Sequence, residues 1–358
     1  MSKKKLHKPI PFHFRLKYGY YQFFDHFIGR VRFFKWTKKS RTRFYKKLED
    51  YLKKTGPGKA IPVDRHKDIS YNDFMNNYVK KGIPVILEGA AKEWSCVKNW
   101  SLDYFKDLHG DDEIVYMDQR DIANGYSETT LRQIIEDMQS GKENYYRFYP
   151  LLLKHPEHIQ DFDYKWMRKR KYPRGFGEAF HVFLSAKGGF TPLHNASSQN
   201  LFIQVHGEKN WKLYPLEYAC VVDPPPARNM YRSAPIIRGK DFDPFKCNYE
   251  DYPLYEYIDH HPIHLKAGDV FYNPPYMWHS VMNPTDESIG VGYRYFTPFK
   301  SWRISPLYFF LEMMAFNPPM WKSWKNYGDI NLIHLMETGN FKEVSKKKGV
   351  KKMKSSVN

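Results

Sequence analysis

Two β-like segments, each carrying a histidine and bounded by Gly and Pro, limit what this chain can fold into. The first, spanning 190–215, reads FTPLHNASSQNLFIQVHGEKNWKLYP; the second, 268–281, reads GDVFYNPPYMWHSV and places His279 at the end of a strand. In the first, His194 lies in a turn-to-strand setting and is followed by two β runs, Leu201–His206 and Asn210–Tyr214, which read as a hairpin around Gly207. Histidines far apart in sequence and fixed on short strands are how a small barrel presents metal ligands to its interior.

Charge separates the ends from the body. The chain has 358 residues and a net charge of +18. Residues 1–60 carry 18 Lys and Arg against Asp25, Glu49 and Asp50, a balance of +15, and residues 341–358 add +6. The body, 61–340, is left at −3, so it gives no electrostatic case for nucleic acid. Cys96, Cys220 and Cys247 are odd in number and widely spaced, which argues against a disulfide framework or a thiolate zinc site. With no apolar leader in MSKKKLHKPI and no apolar run of membrane-spanning length, the expected location is cytoplasmic, with peripheral membrane contact as the variant.

The expected organisation has four parts. Residues 1–60 form a basic aromatic extension, with a helix over 40–54 capped by Ser40 and a linker over 55–62. Such a segment suits an anionic membrane surface or RNA, or else packs its aromatics on the body. Residues 61–300 form the main domain, with α/β elements first and a strand-rich core over about 179–298. Within it, 222–262 is expected to cover the barrel mouth as an insert. Residues 301–340 are a helical segment whose apolar face would pack on the body or on a second copy, and 341–358 are a lysine tail.

The pattern T-P-L-H-x5-N-L-x2-Q-V-x-G-x-K-x-W-x-L-Y-P, followed by G-D-V-x-Y-x-P-x3-W-H, resembles the JmjC and cupin-like Fe(II)/2-oxoglutarate oxygenases. Within that family the pattern resembles the asparaginyl-hydroxylase branch and its bacterial relatives. The resemblance covers roughly 60–320 and implies a mainly β fold with α: a double-stranded β-helix, with α/β elements before it and helices after. It implies His194 and His279 as iron ligands and Thr191, Asn200 and Lys209 as cosubstrate contacts, with Trp278 and Tyr276 at the barrel rim. It also implies Fe(II) and 2-oxoglutarate as cofactors and a protein or peptide side chain as substrate.

One position departs from the family. The motif calls for a carboxylate two residues after the first histidine, because i and i+2 on a strand share a face. Here that residue is Ala196, and Asn195 is turned to the other face. The second-strand asparagine of the family is replaced as well, by Gly292 in IGVGYRYF. Three readings stay open: a pseudo-oxygenase that kept the fold as a binding module, a two-histidine iron site completed by water, halide or a distant carboxylate, and a pocket for another ligand. The cluster His260, His261 and His264 is flanked by Pro262 and a strand, which denies it the helix of a zincin site.

Overall fold

The computed structural model describes residues 7–117, 126–142, 145–224, 231–233 and 242–314. Its first strands are β1 (Asp64–His66), β2 (Val85–Leu87), β3 (Glu113–Met117), β4 (Tyr126–Thr130), β5 (Tyr145–Tyr149), β6 (Phe176–Ala186) and β7 (Phe190–Ala196). They are followed by β8 (Gln199–His206), β9 (Glu208–Tyr214), β10 (Tyr231–Ser233), β11 (His261–Lys266), β12 (Val270–Asn273), β13 (Trp278–Met282) and β14 (Glu287–Phe296). One sheet has the order β1-β2-β12-β8-β14-β6-β5, a second β10-β7-β13-β9-β11, and β3 and β4 pair separately. Apart from the parallel pair β1 and β2, the two large sheets are antiparallel.

Alternation along β14 shows how the sequence builds two layers at once. Ile289, Val291, Tyr293 and Tyr295 face outward into a core shared with the helices Leu102–His109 and Leu131–Gln139. These helices begin on side-chain caps, Ser101 accepting from the Tyr104 amide and Thr130 from the Gln133 amide. Gly290, Gly292 and Arg294 occupy the alternate positions and face the other sheet. Between the sheets lies a separate cluster of Phe183, Phe202 and Phe271 against Trp211, Leu213 and Val281. The fold is cupin-like, with mixed α and β content and helices at both ends.

The structure changes several expectations. β8 and β9 are not a hairpin: β8 belongs to the first sheet and β9 to the second, so the chain turns a corner at Gly207. Gly207 has φ of 62°, and a Cβ there would lie 2.1 Å from the Glu287 carbonyl oxygen. One glycine between two β runs reads as a tight turn, but the corner needs it for close approach. His279 likewise does not end its strand; it is the second residue of β13, separated from β12 by a turn at Tyr276.

The N-terminal extension is more helical than its sequence suggested. α1 spans Phe12–Phe24 and α2 spans Arg30–Thr55, joined by a wide turn Asp25–Gly29. Ser40 is therefore inside α2 and pairs with the Tyr21 hydroxyl at 2.7 Å instead of capping a helix. Phe14, Tyr18, Tyr21, Phe44, Leu48 and Leu52 are buried with Tyr214, Tyr218, Tyr276 and Trp278 of the body. Residues 55–62 are pinned: the Lys59 amide donates to Asp259 at 2.8 Å and Ala60 bridges to His260. In the insert, Phe242, Tyr255 and Ile258 pack into this same cluster. The helix opened by Ser305 spans Pro306–Met313, with Ser305 accepting from the Tyr308 amide. The rest of the helical segment and the lysine tail lie outside the described residues.

Candidate functional site

β7 and β13 are neighbours, and their register sets His194 directly opposite His279. The two rings stand 4.2 Å apart between centroids, at 53°. The His194 Nδ1 lies 2.8 Å from the Pro192 carbonyl and the His279 Nδ1 2.9 Å from that of Met277. A carbonyl accepts only, so each ring carries a proton on Nδ1, and a ring in its neutral form keeps its lone pair on Nε2. Burial, then the charge of Arg294, pushes His279 down to about 4, so it is neutral at ordinary pH.

Thr191 precedes His194 by three positions, which in a regular strand would turn it to the opposite face. A bulge corrects this: His279 pairs with His194 while Val281, two residues on, pairs with Thr191, three residues back. Thr191 thus shares the inward face with both histidines. Its Oγ1 is buried and has no hydrogen-bond partner among the described residues, and the same holds for the Asn200 Oδ1 on β8.

Lys209, on β9, is fully buried. Its ammonium donates to the Ser185 Oγ at 3.1 Å and to the Asn283 Oδ1. Burial pushes it down to about 7. Gly290 makes room for it: a Cβ there would come within 3.0 Å of the Lys209 Cε and 2.2 Å of the Phe202 ring.

Ala196 shares the inward face with His194 by alternation and offers no donor atom. Asn195 is turned away, fully buried, with its amide donating to the Tyr276 carbonyl at 3.3 Å. No group of three or more His, Cys, Asp or Glu able to hold a metal occurs among the described residues. The inward positions of β6, β8, β9, β13 and β14 include Lys209 and Arg294 but no carboxylate. Among the described residues, the four buried carboxylates serve elsewhere: Asp25 pairs with Arg41, Asp259 and Asp269 accept backbone amides, and Glu312 accepts from Tyr276.

Other singled-out residues are placed differently. Trp278 and Tyr276 do not line the barrel rim; both are fully buried on the far side of β13, against the N-terminal helices. His260, His261 and His264 lie at or on β11, where His261 meets the Ile61 carbonyl and His264 meets Asn210. His181 is opposite Gly292, which puts it on the inward face of β6. The sequence reading missed Ser185, Asn283 and Arg294. For Arg294 a signal existed, the two-residue step from Gly292.

Two sheets enclosing an apolar core, with histidines from adjacent strands at one side, define a cupin-like protein. A family model described as a cupin-like domain matches residues 71–301, and the chain belongs to that family. JmjC domain-containing protein D of Dictyostelium discoideum is 26% identical over 251 residues, 59% of this chain and 51% of that protein. Human tRNA wybutosine-synthesizing protein 5 is 24% identical over 277 residues, 67% of this chain and 78% of that one. The chain spans about half the length of the first of these. The X-ray structure of E. coli ycfD superposes with a TM-score of 0.40 at 16% identity, covering 64% of this chain and 54% of that one.

Proposed function

We propose that this member of the JmjC/cupin-like 2-oxoglutarate oxygenase family binds a 2-oxoglutarate-type dicarboxylate and acts as a binding module rather than an ordinary side-chain hydroxylase. The strand order supports the double-stranded β-helix that the sequence resemblance implies. The observation that carries the reading is the enclosed Lys209 ammonium, with Thr191 and Asn200 also on inward faces, in a barrel that carries an alanine where the family uses a carboxylate. The cosubstrate fits: a carboxylate would pair with Lys209 and accept from the orphaned Thr191 hydroxyl. The family's iron does not: two imidazoles and a methyl group supply neither the third ligand nor the negative charge of a facial triad.

Calorimetric titration of the EDTA-treated full chain with 2-oxoglutarate tests this, and saturable binding is the expected result. Binding seen only after Fe(II) is added would sink the metal-free module and favour the two-histidine hydroxylase. No binding by folded protein in either condition would remove the cosubstrate reading.

A second reading concerns the basic extension, and one observation favours it. Val31 and Trp36 of α2 are 77% and 68% exposed beside Arg32, Lys35, Lys38 and Lys39, and Phe12 and Leu16 of α1 are exposed too. Phe12 and Leu16 line an apolar groove of about 1140 Å³. No helix among the described residues is long and apolar enough to cross a membrane. Apolar rings among cations suit the interface of an anionic bilayer. Trp36→Ser with Val31→Ser is expected to reduce flotation with phosphatidylserine vesicles about tenfold. Deleting residues 1–60 is no clean test, because that segment supplies part of the core. Unchanged flotation, or retention of single-stranded RNA in place of vesicles, would count against the membrane.

A further inference from the structure

We propose that Arg294 is a second anion anchor inside the barrel, so that the pocket holds both ends of a short diacid with protein cations alone. The proposal rests on the dicarboxylate reading and specifies how its ligand is held. Arg294 is 6% exposed and occupies the inward face of β14, where its guanidinium lies 5.7 Å from the centre of the Phe183 ring in the inter-sheet core. Its charge acts on both His279 on β13 and His181 on β6, as expected of a cation between the two sheets.

The spacing on β14 fits two anchors for one molecule. Gly290 abuts the Lys209 Cε, and Gly292 abuts Arg294, with its missing Cβ 3.4 Å from the Arg294 Nε and 3.1 Å from the orphaned Asn200 Oδ1. Two residues along a strand cover about 7 Å, the scale of a five-carbon diacid reaching from one cation to the other. A side chain at 292 would crowd both the guanidinium and Asn200, and glycine avoids that. Arginine presents a planar fork that matches a carboxylate and stays charged when buried. Ala196 adds no carboxylate that would compete with a ligand for this charge.

The test uses the full chain in EDTA and compares glutarate and 2-oxoglutarate with butyrate, which has one carboxylate. Wild-type protein is expected to bind either diacid at least about 30-fold more tightly than butyrate. Arg294→Gln should weaken diacid binding about 10- to 30-fold and change butyrate binding less than twofold, and Arg294→Lys should restore part of the loss. The wild-type comparison stands even if a variant does not fold. Equal affinity for glutarate and butyrate, or diacid binding unchanged in folded Arg294→Gln, would overturn the second anchor while leaving the Lys209 pocket intact. Diacid binding that needs Fe(II) or Mn(II) would overturn it by giving that end to a metal. Failure of folded wild-type protein to bind any of the acids would remove the pocket reading as well.

Discussion

Lys209→Met is expected to abolish 2-oxoglutarate binding and at the same time raise the melting temperature. Both effects come from one fact: an ammonium group is held fully buried. Removing one partner of a buried charge pair costs the complex about 2–5 kcal/mol, so affinity should fall by roughly 30-fold or more. In the empty protein the same charge is a burden. The lysine is pushed down to about 7 by burial, whereas in the unfolded chain it keeps the ordinary lysine value, so the unfolded state holds the proton more strongly. Its contribution to stability is therefore fully restored only above the ordinary lysine range and is lost as pH falls toward 7. Methionine removes that penalty, although the Asn283 Oδ1 loses its donor, and a net gain of about 2 kcal/mol near pH 6.5 is expected. That corresponds to a few degrees in Tm, shrinking as pH rises.

The same titration governs the ligand. Only the ammonium form pairs with a carboxylate, so wild-type affinity should fall roughly 25-fold between pH 6.5 and pH 8.5. A variant that melts lower, or one that binds as the wild type does, would show that Lys209 merely fills the barrel.

How much of this was legible in the sequence differs between strand and site. Short-range patterns were readable: Ser101 before a helix and the apolar positions of Leu131–Gln139 name their elements directly. The pairing of His194 with His279 was readable too, because both stood in motif blocks that the family shares. The corner at Gly207 was not, since a one-residue turn and a change of sheet leave the same local signature, and only β12, β13 and β14 decide which sheet each strand joins. The bulge in β7 was hidden for the same reason: an extra residue is visible only against its partner strand. The start of α2 was placed ten residues too late because Val31, Phe34 and Trp36 are exposed and give no single apolar stripe. Arg294 was passed over because an arginine in a strand usually points to solvent, and the buried aromatic rows on both sides of β14 are what deny it that.

Ala196→Asp should move metal affinity and metal-free ligand binding in opposite directions, which tests the placement of the whole site. Position 196 shares a face with His194, so an aspartate there adds a third donor and a negative charge beside two imidazoles already oriented by backbone carbonyls. Loss of even an outer partner of a metal ligand costs 10- to 100-fold in affinity, so gaining a direct ligand is expected to raise Co(II) affinity by at least about 100-fold. The rise would be followed in the visible absorption of the bound ion. Arg294 works against it by pairing with the new carboxylate, and the double variant with Arg294→Gln should bind Co(II) more tightly still. Without metal, the added carboxylate repels a dicarboxylate ligand and occupies one of its two cations, so 2-oxoglutarate binding in EDTA should weaken about tenfold. If a folded Ala196→Asp protein binds Co(II) within twofold of the wild type, position 196 does not face the histidines. The account of why this barrel cannot complete a triad would then fail. If both shifts occur together, a single methyl group separates a metal site from a purely cationic one in this fold, and the charge of Arg294 is what the alanine allows to remain.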